Sequence, residues 1–194
     1  MMSSSPDLPR AGEPLLVVAL EEEARSLREL GWPVLLTGVG KLRAATQLAR
    51  ALATARPSHI LNLGTAGSLV EDLSGVFPIG SVLQHDFDDE SIAALTGHSF
   101  SPLLPLAPEG PLLASGDRFV AGDPLRAELV ARGARLVDME GYAVATVARA
   151  FDLPVTLVKV VSDSAGAGAA RDWQDTLHHC SQALAAWMRE NFPG

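Results

Sequence analysis

Short runs of apolar residues alternate with longer segments of helical periodicity along the chain. The first run, Leu15–Ala19, precedes a charged stretch that ends at Gly31, which is the pattern of a strand buried on both faces followed by a helix. Further strands are predicted over residues 33–37, 59–63, 81–85, 112–115, 135–138 and 154–161. Helices are predicted over residues 41–56, from Asp123–Pro124 to about Arg132, over 139–151, and through a last segment that contains Trp173 and Met188. Because strands alternate with helices, we expect a three-layer α/β/α fold with a central mixed, mostly parallel sheet.

Two glycine-containing segments follow predicted strands. Gly64-Thr65-Ala66-Gly67-Ser68 is predicted to be a loop whose glycines allow a ligand to approach the backbone, although a plain tight turn explains the same residues equally well. Gly38-Val39-Gly40-Lys41 lacks the length of a phosphate-binding loop and the third glycine of a dinucleotide fingerprint, so it is a weak nucleotide signal. The helix after it is expected to bury one apolar face, made of Leu42, Ala45, Leu48, Ala49 and Leu52.

Composition limits the class of protein. The chain has 194 residues, of which 47% are hydrophobic, and its formal net charge is −8. This length suits one compact domain over residues 14–194, after a leader at residues 1–13 that has no periodicity and is expected to be disordered. The acidic balance and the absence of any run of Lys or Arg argue against nucleic-acid binding. Cys180 has no partner for a disulfide, and the early apolar run is too short to span a membrane, so we expect a cytoplasmic protein.

Carboxylates follow three of the predicted strands. Glu21-Glu22-Glu23 follows the first strand, Asp138-Met139-Glu140 follows a later one, and Ser162-Asp163 follows the most apolar one. Ligands of such sheets bind beyond the carboxyl ends of the strands, so these groups should converge on one rim. Successive helical residues point about 100° apart, so one of the three glutamates should face the sheet. Simpler explanations stay open, because acidic residues also favour helix N-termini and Asp163 could cap a turn.

Six segments with these features occur in a fixed order along the chain. They are Ala19-Leu20-Glu21-Glu22-Glu23, Gly38-Val39-Gly40-Lys41, Asn62-Leu63-Gly64-Thr65-Ala66-Gly67, Ser115-Gly116-Asp117-Arg118-Phe119-Val120, Val137-Asp138-Met139-Glu140-Gly141 and Val161-Ser162-Asp163. Together they resemble the nucleoside phosphorylase superfamily, and within it the 5′-methylthioadenosine/S-adenosylhomocysteine nucleosidases. The resemblance covers about residues 15 to 190, although each segment alone is weakly specific.

The resemblance implies hydrolysis of the N-glycosidic bond of a purine nucleoside, a small-molecule substrate. It assigns Asp163 as the general acid at purine N7, Glu23 as the base that activates water, and Glu140 as the ligand of the ribose 2′-hydroxyl. The other expected binding residues surround the sugar and the base, and they are Met139, Phe119, Val120, Thr65, Ser162 and Gly64. Phe119 would stack on the purine while the Val120 backbone reads its edge. Acid–base chemistry of this kind calls for no metal or organic cofactor, so we expect none.

Phosphorolysis is the main alternative within the superfamily. Phosphorylases of this group place an arginine where this chain has Asn62, and a glycine-arginine loop where it has the three glutamates. A carboxylate beside a phosphate dianion is unfavourable, which favours water as the nucleophile. A nucleoside-binding protein without turnover is the second alternative, and the three retained carboxylates argue against it.

The chain departs from the family pattern in two places. The stretches from Leu30 to Gly38 and from His85 to Pro111 are shorter than in typical members, where they help to form the 5′-substituent pocket. Methylthioadenosine, S-adenosylhomocysteine, adenosine, inosine and futalosine therefore all stay open as substrates. The resemblance also implies a homodimer, and segment 85–100, with apolar residues outside clear periodicity, is the candidate contact or a mobile lid. His85 beside Asp86 and Asp88 is expected to be part of a polar loop and not a metal site.

Overall fold

A computed structural model describes residues 8–10, 12–71, 73–120, 123–163 and 169–192, without the side chains of residues 123 and 169–175. Most of the predicted leader, together with residues 164–168, therefore lies outside the described residues. Among the described residues, no helix is both long and apolar enough to cross a membrane.

The described residues form one sheet and the helices that cover it. The strands are β1 (Leu15–Val18), β2 (Val34–Leu36), β3 (Ile60–Ser68), β4 (Val76–Pro78), β5 (Ser81–Gln84), β6 (Leu104–Pro105), β7 (Leu112–Ser115), β8 (Leu136–Asp138) and β9 (Val155–Asp163). The helices are α1 (Glu21–Arg28), α2 (Lys41–Leu52), α3 (Asp89–Thr96), α4 (Asp123–Ala131), α5 (Gly141–Ala150) and α6 (Ala169–Asn191).

The sheet branches at β3. Its main path has the order β2-β1-β3-β8-β7-β5-β6, while β9 pairs with both β3 and β4. Parallel pairs join β1 to β2, β1 to β3, β3 to β9, β5 to β7 and β7 to β8, and the other three pairs are antiparallel. The predicted mixed, mostly parallel sheet is confirmed. Gly67 and Ser68 at the end of β3 pair with β8, and residues Ile60 to Gly67 pair with β9. The carboxyl ends of β8 and β9 therefore meet beside β3.

The core lies on both faces of the sheet, as expected for a strand that is apolar throughout. In β1, Leu16 and Val18 pack in a cluster with α1 and α6, while Leu15 and Val17 pack in a second cluster with α2 and α5. All four residues of β1 are buried. Helices therefore cover both faces, which is the predicted three-layer arrangement.

Several predicted element boundaries were wrong. The segment Gly64–Ser68 is not a loop but the second half of β3, because its backbone continues to pair with β9 as far as Asp163 across a bulge after Ala66. Helix α2 ends at Leu52 and not at residue 56, because the next turn closes on the carbonyl of Ala51. Its buried face is Ala44, Leu48, Ala51 and Leu52, so the expected burial of Leu42 was wrong.

The sequence analysis missed β4, β6 and α3. Helix α3 contains no buried residue, so it has none of the apolar periodicity on which the prediction depended. The sequence nevertheless contains residues that are typical of the two ends of a helix. Asp88 accepts a hydrogen bond from the Ser91 N–H at the start, and Gly97 adopts a left-handed conformation with φ of 75° at the end.

Candidate active site

A pocket of about 350 Å³ lies at the carboxyl ends of β1, β7, β8 and β9 and along β3. The sequence analysis predicted the ligand-binding residues at this edge of the sheet. The described residues that line it are Ala19, Leu20, Glu23, Val39, Asn62, Leu63, Gly64, Thr65, Ala66, Gly67, Arg118, Phe119, Val120, Val137, Asp138, Met139, Glu140, Lys159, Ser162 and Asp163.

Glu23 is the glutamate of the triplet that faces the sheet. Its side chain is only 3% exposed, while Glu21 and Glu22 point to solvent and Glu21 pairs with Arg28. One carboxylate oxygen accepts hydrogen bonds from the backbone N–H and from the hydroxyl of Thr65, both at 2.8 Å. The other accepts from the Leu20 N–H at 3.2 Å. Burial raises the pKa of Glu23 above its usual value, although these hydrogen bonds oppose the shift.

Glu140 lies between β8 and α5 and faces the same pocket. Its Oε1 accepts a hydrogen bond from the backbone N–H of Gly40 at 2.8 Å. Burial, reinforced by the nearby charge of Asp138, raises the pKa of Glu140 to about 8. The carboxyl group therefore carries a proton at neutral pH and can donate as well as accept a hydrogen bond.

The weak glycine signal at residues 38–41 has a structural explanation. Gly40 has φ of 101°, a conformation that side chains rarely adopt, and it aims its N–H at Glu140. The next residue, Lys41, is held from two sides: its backbone N–H donates to Asp117 Oδ1 at 2.8 Å, and its ammonium pairs with Asp86. The loop therefore fixes the position of Glu140, and the contacts of Lys41 with Asp117 and Asp86 hold the loop in place.

Asp163 ends β9 and is oriented by its neighbour. The Ser162 hydroxyl donates to Asp163 Oδ2 at 2.8 Å, and the Ser162 carbonyl accepts a hydrogen bond from the Thr176 hydroxyl of α6 at 3.0 Å. The turn that would follow Asp163, residues 164–168, lies outside the described residues.

Apolar side chains form the rest of the wall. Phe119 lines the pocket and keeps 48% of its surface exposed, so part of the residue is accessible to a ligand, while Val120 beside it is buried. Met139 lies directly before Glu140 and lines the pocket. It was predicted to begin a helix, but α5 begins only at Gly141. A flat aromatic ring beside buried carboxyl groups suits a planar heterocycle joined to a polar group.

The sequence analysis missed Lys159 in the middle of β9. Its ammonium forms an ion pair with Asp138 Oδ2 at 2.8 Å and donates to Asn62 Oδ1 at 2.9 Å. A single lysine inside the apolar strand Val155–Asp163 was a usable signal, because an isolated lysine is almost never fully buried unless it is paired.

The structure brings all nine predicted site residues to this one pocket, namely Asp163, Glu23, Glu140, Met139, Phe119, Val120, Thr65, Ser162 and Gly64. Their individual roles stay predictions. His85 lies in the bend that follows β5, so the expected loop is confirmed, but its ring is buried against Gly116. Within the described part of the chain, no group of three or more His, Cys, Asp or Glu residues has the arrangement of a metal site.

Comparison with known proteins finds related sequences and structures. A family model described as "Phosphorylase superfamily" matches residues 27–190. The 5′-methylthioadenosine/S-adenosylhomocysteine nucleosidase of Marinomonas sp. (strain MWYL1) is 26% identical over 186 residues, covering 83% of this chain and 80% of that protein. The enzyme of the same name from Bacillus subtilis (strain 168) is 30% identical over 158 residues, covering 69% and 68%.

Solved structures share the fold. The futalosine hydrolase of Helicobacter pylori strain 26695 superposes with a TM-score of 0.82 at 22% identity, covering 92% of this chain and 96% of that one. The S-adenosylhomocysteine nucleosidase of Streptococcus pyogenes, solved with 5-methylthiotubericidin, gives a TM-score of 0.81 at 21% identity, covering 95% and 99%.

Proposed function

Because the chain belongs to the phosphorylase superfamily, we propose that it is a purine nucleosidase, which hydrolyses the bond between the base and the ribose. The observation that carries this proposal is the buried carboxyl group of Glu23 in one pocket with Glu140, Asp163 and the ring of Phe119. The relatives named above are nucleosidases of 5′-methylthioadenosine and S-adenosylhomocysteine, and these compounds are the first candidates for the substrate.

The proposed reaction has one bond broken and one formed at the anomeric carbon. Asp163 donates a proton to N7 of the purine, so that the base leaves as a neutral molecule when the C1′–N9 bond breaks and its electron pair moves to N9. Glu23 accepts a proton from the water whose oxygen bonds to C1′. The positive charge that develops on the ribosyl ring lies in a pocket rich in carboxyl groups, which favours it.

The remaining residues hold the substrate. Glu140, fixed by Gly40, binds the ribose 2′-hydroxyl, and Met139 lies against the apolar face of the sugar. Phe119 stacks on the base and the Val120 backbone reads its edge, while Thr65, Gly64 and Ser162 complete the floor. Thr65 and Ser162 also orient the two groups that move protons, since their hydroxyls donate to Glu23 and Asp163.

The pocket favours water over phosphate as the nucleophile. Among the described residues that line it, the cations are Lys159 and Arg118. Lys159 already pairs with Asp138 and Asn62, and Arg118 is exposed. A phosphate dianion near Glu23 would be repelled by its carboxylate. Lys159 would not offset this repulsion, because it is already paired with Asp138.

A panel of nucleosides tests the proposal. Methylthioadenosine, S-adenosylhomocysteine, adenosine, inosine and futalosine are incubated with the protein in phosphate-free buffer, and the free base is measured by chromatography. We expect release of base from at least one of them. Nucleoside binding without release of base, measured by calorimetry on the same panel, would support a binding protein and contradict the proposal.

We also propose that the protein is a homodimer. Leu95 in α3 is 82% exposed, and Phe87, Phe100 and Leu103 are exposed near it in sequence. The ion pair between Lys41 and Asp86 brings the start of α2, with exposed Leu42, beside this segment. Apolar side chains exposed in one region of the surface are typical of a contact between subunits.

A further inference from the structure

Lys159 is held rigidly at the floor of the pocket. Its side chain is almost completely buried, and its ammonium is fixed by Asp138 on one side and by Asn62 on the other. Asn62 cannot swing away easily, because its amide also donates to the carbonyl of Val17 at 3.0 Å. These contacts hold the positive charge of Lys159 at one position in the pocket.

Asp138 is fully occupied in holding that charge. Its Oδ1 accepts a hydrogen bond from the Ser115 hydroxyl, and its Oδ2 accepts from the Gly141 N–H at 2.9 Å as well as from Lys159. With both oxygens committed, Asp138 serves as the counter-ion of Lys159 rather than as a group that exchanges protons with a ligand.

Lys159 also lies close to Glu23, although the two form no direct bond. They approach each other over Gly64, which pairs with Lys159 across the strands. A methyl group placed on Gly64 would lie 3.4 Å from Glu23 Oε1 and 3.5 Å from Lys159 Nζ. The carboxylate and the ammonium are therefore no further apart than the sum of these two distances, with no side chain of residue 64 between them.

Burial disfavours the ionisation of Glu23, and acidic side chains line the same pocket. Asp138 from β8, Glu140 from the start of α5 and Asp163 from β9 are acidic, and the Cys180 thiol of α6 also senses the charge of Glu23. Lys159 is the buried cation among these groups. Burial alone would lower the pKa of Lys159, but Asp138, Glu140 and Glu23 together hold it above its usual value, so the ammonium stays charged across the neutral range.

We propose that Lys159 is a positioning residue that keeps Glu23 ionised, and therefore able to accept a proton, inside an acidic pocket. This inference rests on the proposed function, in which Glu23 activates water. A charge at this distance in a protein interior changes the ionisation of its neighbour by about one to two pH units. Lys159 thus acts on the reaction through Glu23, whereas a purely structural ion pair would hold β8 and β9 together without affecting the protonation of Glu23.

The pH dependence of kcat/KM separates these two roles. Activity that needs ionised Glu23 falls as the pH drops through the pKa of this group, which gives the acid limb of the profile. We expect Lys159→Met to move this limb upward by about one to two pH units, with activity recovering at higher pH. Lys159→Arg, which retains the charge, should keep the limb of the wild type. A loss of activity by the same factor at every pH would contradict the proposal.

A second variant addresses folding. Lys159→Met leaves Asp138 buried without its counter-ion, which is strongly destabilising. Asp138→Asn combined with Lys159→Met removes both charges, while the asparagine oxygen can accept from the Gly141 N–H and its amide can donate to the Ser115 hydroxyl. Asp138→Asn alone is the reference variant, because it removes the charge of Asp138 and keeps that of Lys159. We expect this double variant to fold, as judged by circular dichroism, and to show its acid limb at a higher pH than Asp138→Asn alone. A folded double variant with the same acid limb as Asp138→Asn would overturn the inference.

A readout without substrate keeps this inference separate from the proposed activity. Infrared difference spectroscopy follows the protonated carboxyl stretch during a pH titration, and Glu23→Gln identifies the contribution of Glu23. We expect Glu23 to take up its proton at a higher pH in the double variant than in Asp138→Asn. Identical titrations would contradict the role of Lys159, even if the wild type cleaved every nucleoside tested. A shifted titration in a protein that cleaves none would overturn only the proposed function.

Discussion

Glu23 and Glu22 are adjacent residues with opposite surroundings. Glu23 is buried in the pocket, whereas Glu22 is exposed on the same turn of α1. The preference of acidic residues for a helix N-terminus explains the exposed Glu21 and Glu22, but it does not explain the buried Glu23. The angle between successive helical residues predicted that one of the three would face the sheet, and the family resemblance, not the angle, selected Glu23.

Glu23→Gln should abolish most of the turnover. Glutamine retains an oxygen that can accept both hydrogen bonds of Thr65, but it cannot take a proton from water. We expect kcat to fall by about 100-fold to 10,000-fold while nucleoside binding, measured by calorimetry, is partly retained. Glu22→Gln is the matched control and should keep the kcat of the wild type. Turnover by Glu23→Gln within twofold of the wild type would exclude Glu23 as the base.

Glu140 should make stability depend on pH. Its pKa is about 8 in the folded protein and near 4.5 in the unfolded chain, so between these values the folded state retains a proton that the unfolded state loses. The contribution of Glu140 to the free energy of unfolding therefore decreases as the pH rises through this window, by up to about 1.4 kcal/mol per pH unit.

Glu140→Gln removes this dependence. We expect urea unfolding between pH 5 and pH 8 to show a smaller loss of stability with rising pH in Glu140→Gln than in the wild type. Glu22→Gln, measured in parallel, should follow the wild type. Equal slopes for Glu140→Gln and the wild type would show that Glu140 ionises normally in the folded protein.

At the scale of elements, the loop before α2 contacts the pocket through the hydrogen bond from the Gly40 N–H to Glu140. Gly40 adopts φ of 101°, and a methyl group there would lie 3.1 Å from Asp117 Oδ1. We expect Gly40→Ala to reduce the free energy of unfolding by about 1–3 kcal/mol and to lower kcat/KM, because the N–H that fixes Glu140 is displaced. Both quantities are measurable on one preparation, by urea unfolding and by steady-state kinetics.

Gly31→Ala is the matched control for Gly40→Ala. Gly31 also has a positive φ, 74°, but a methyl group there meets no atom within 4 Å, and it does not line the pocket. It should lose stability with unchanged kinetics. If Gly40→Ala and Gly31→Ala have the same kcat/KM, the loop does not hold Glu140 in place.

Local patterns predicted the elements that carry apolar periodicity and failed where pairing across the chain decides the structure. The apolar run at β1 and the helical face of α6 were evident, and so was the position of acidic residues after strands. The strand conformation of residues 64–68 was not, because glycines usually indicate a loop and only pairing with β9 extends β3 through them. The partnership of Lys159 with Asp138 and Asn62 depends on three separate strands, so no local pattern contains it.

At the scale of the whole molecule, the surface around α3 should determine the oligomeric state. We expect the wild type to sediment as a dimer in analytical ultracentrifugation and Leu95→Glu to sediment as a monomer, because a charge in an apolar contact opposes association. Val130→Glu places the same charge at an exposed apolar residue of α4 and should remain a dimer. A wild-type monomer at assay concentrations would contradict the proposed homodimer.

The identity of the sugar product tests hydrolysis most directly. The best substrate of the nucleoside panel is incubated with the protein with and without inorganic phosphate, and free sugar and sugar 1-phosphate are resolved by chromatography. Because Glu23 lies where an anion would be disfavoured and Lys159 is already paired, we expect free sugar at the same rate in both buffers. Turnover that requires phosphate and yields sugar 1-phosphate would contradict water as the nucleophile, and with it the role of Glu23 as its base.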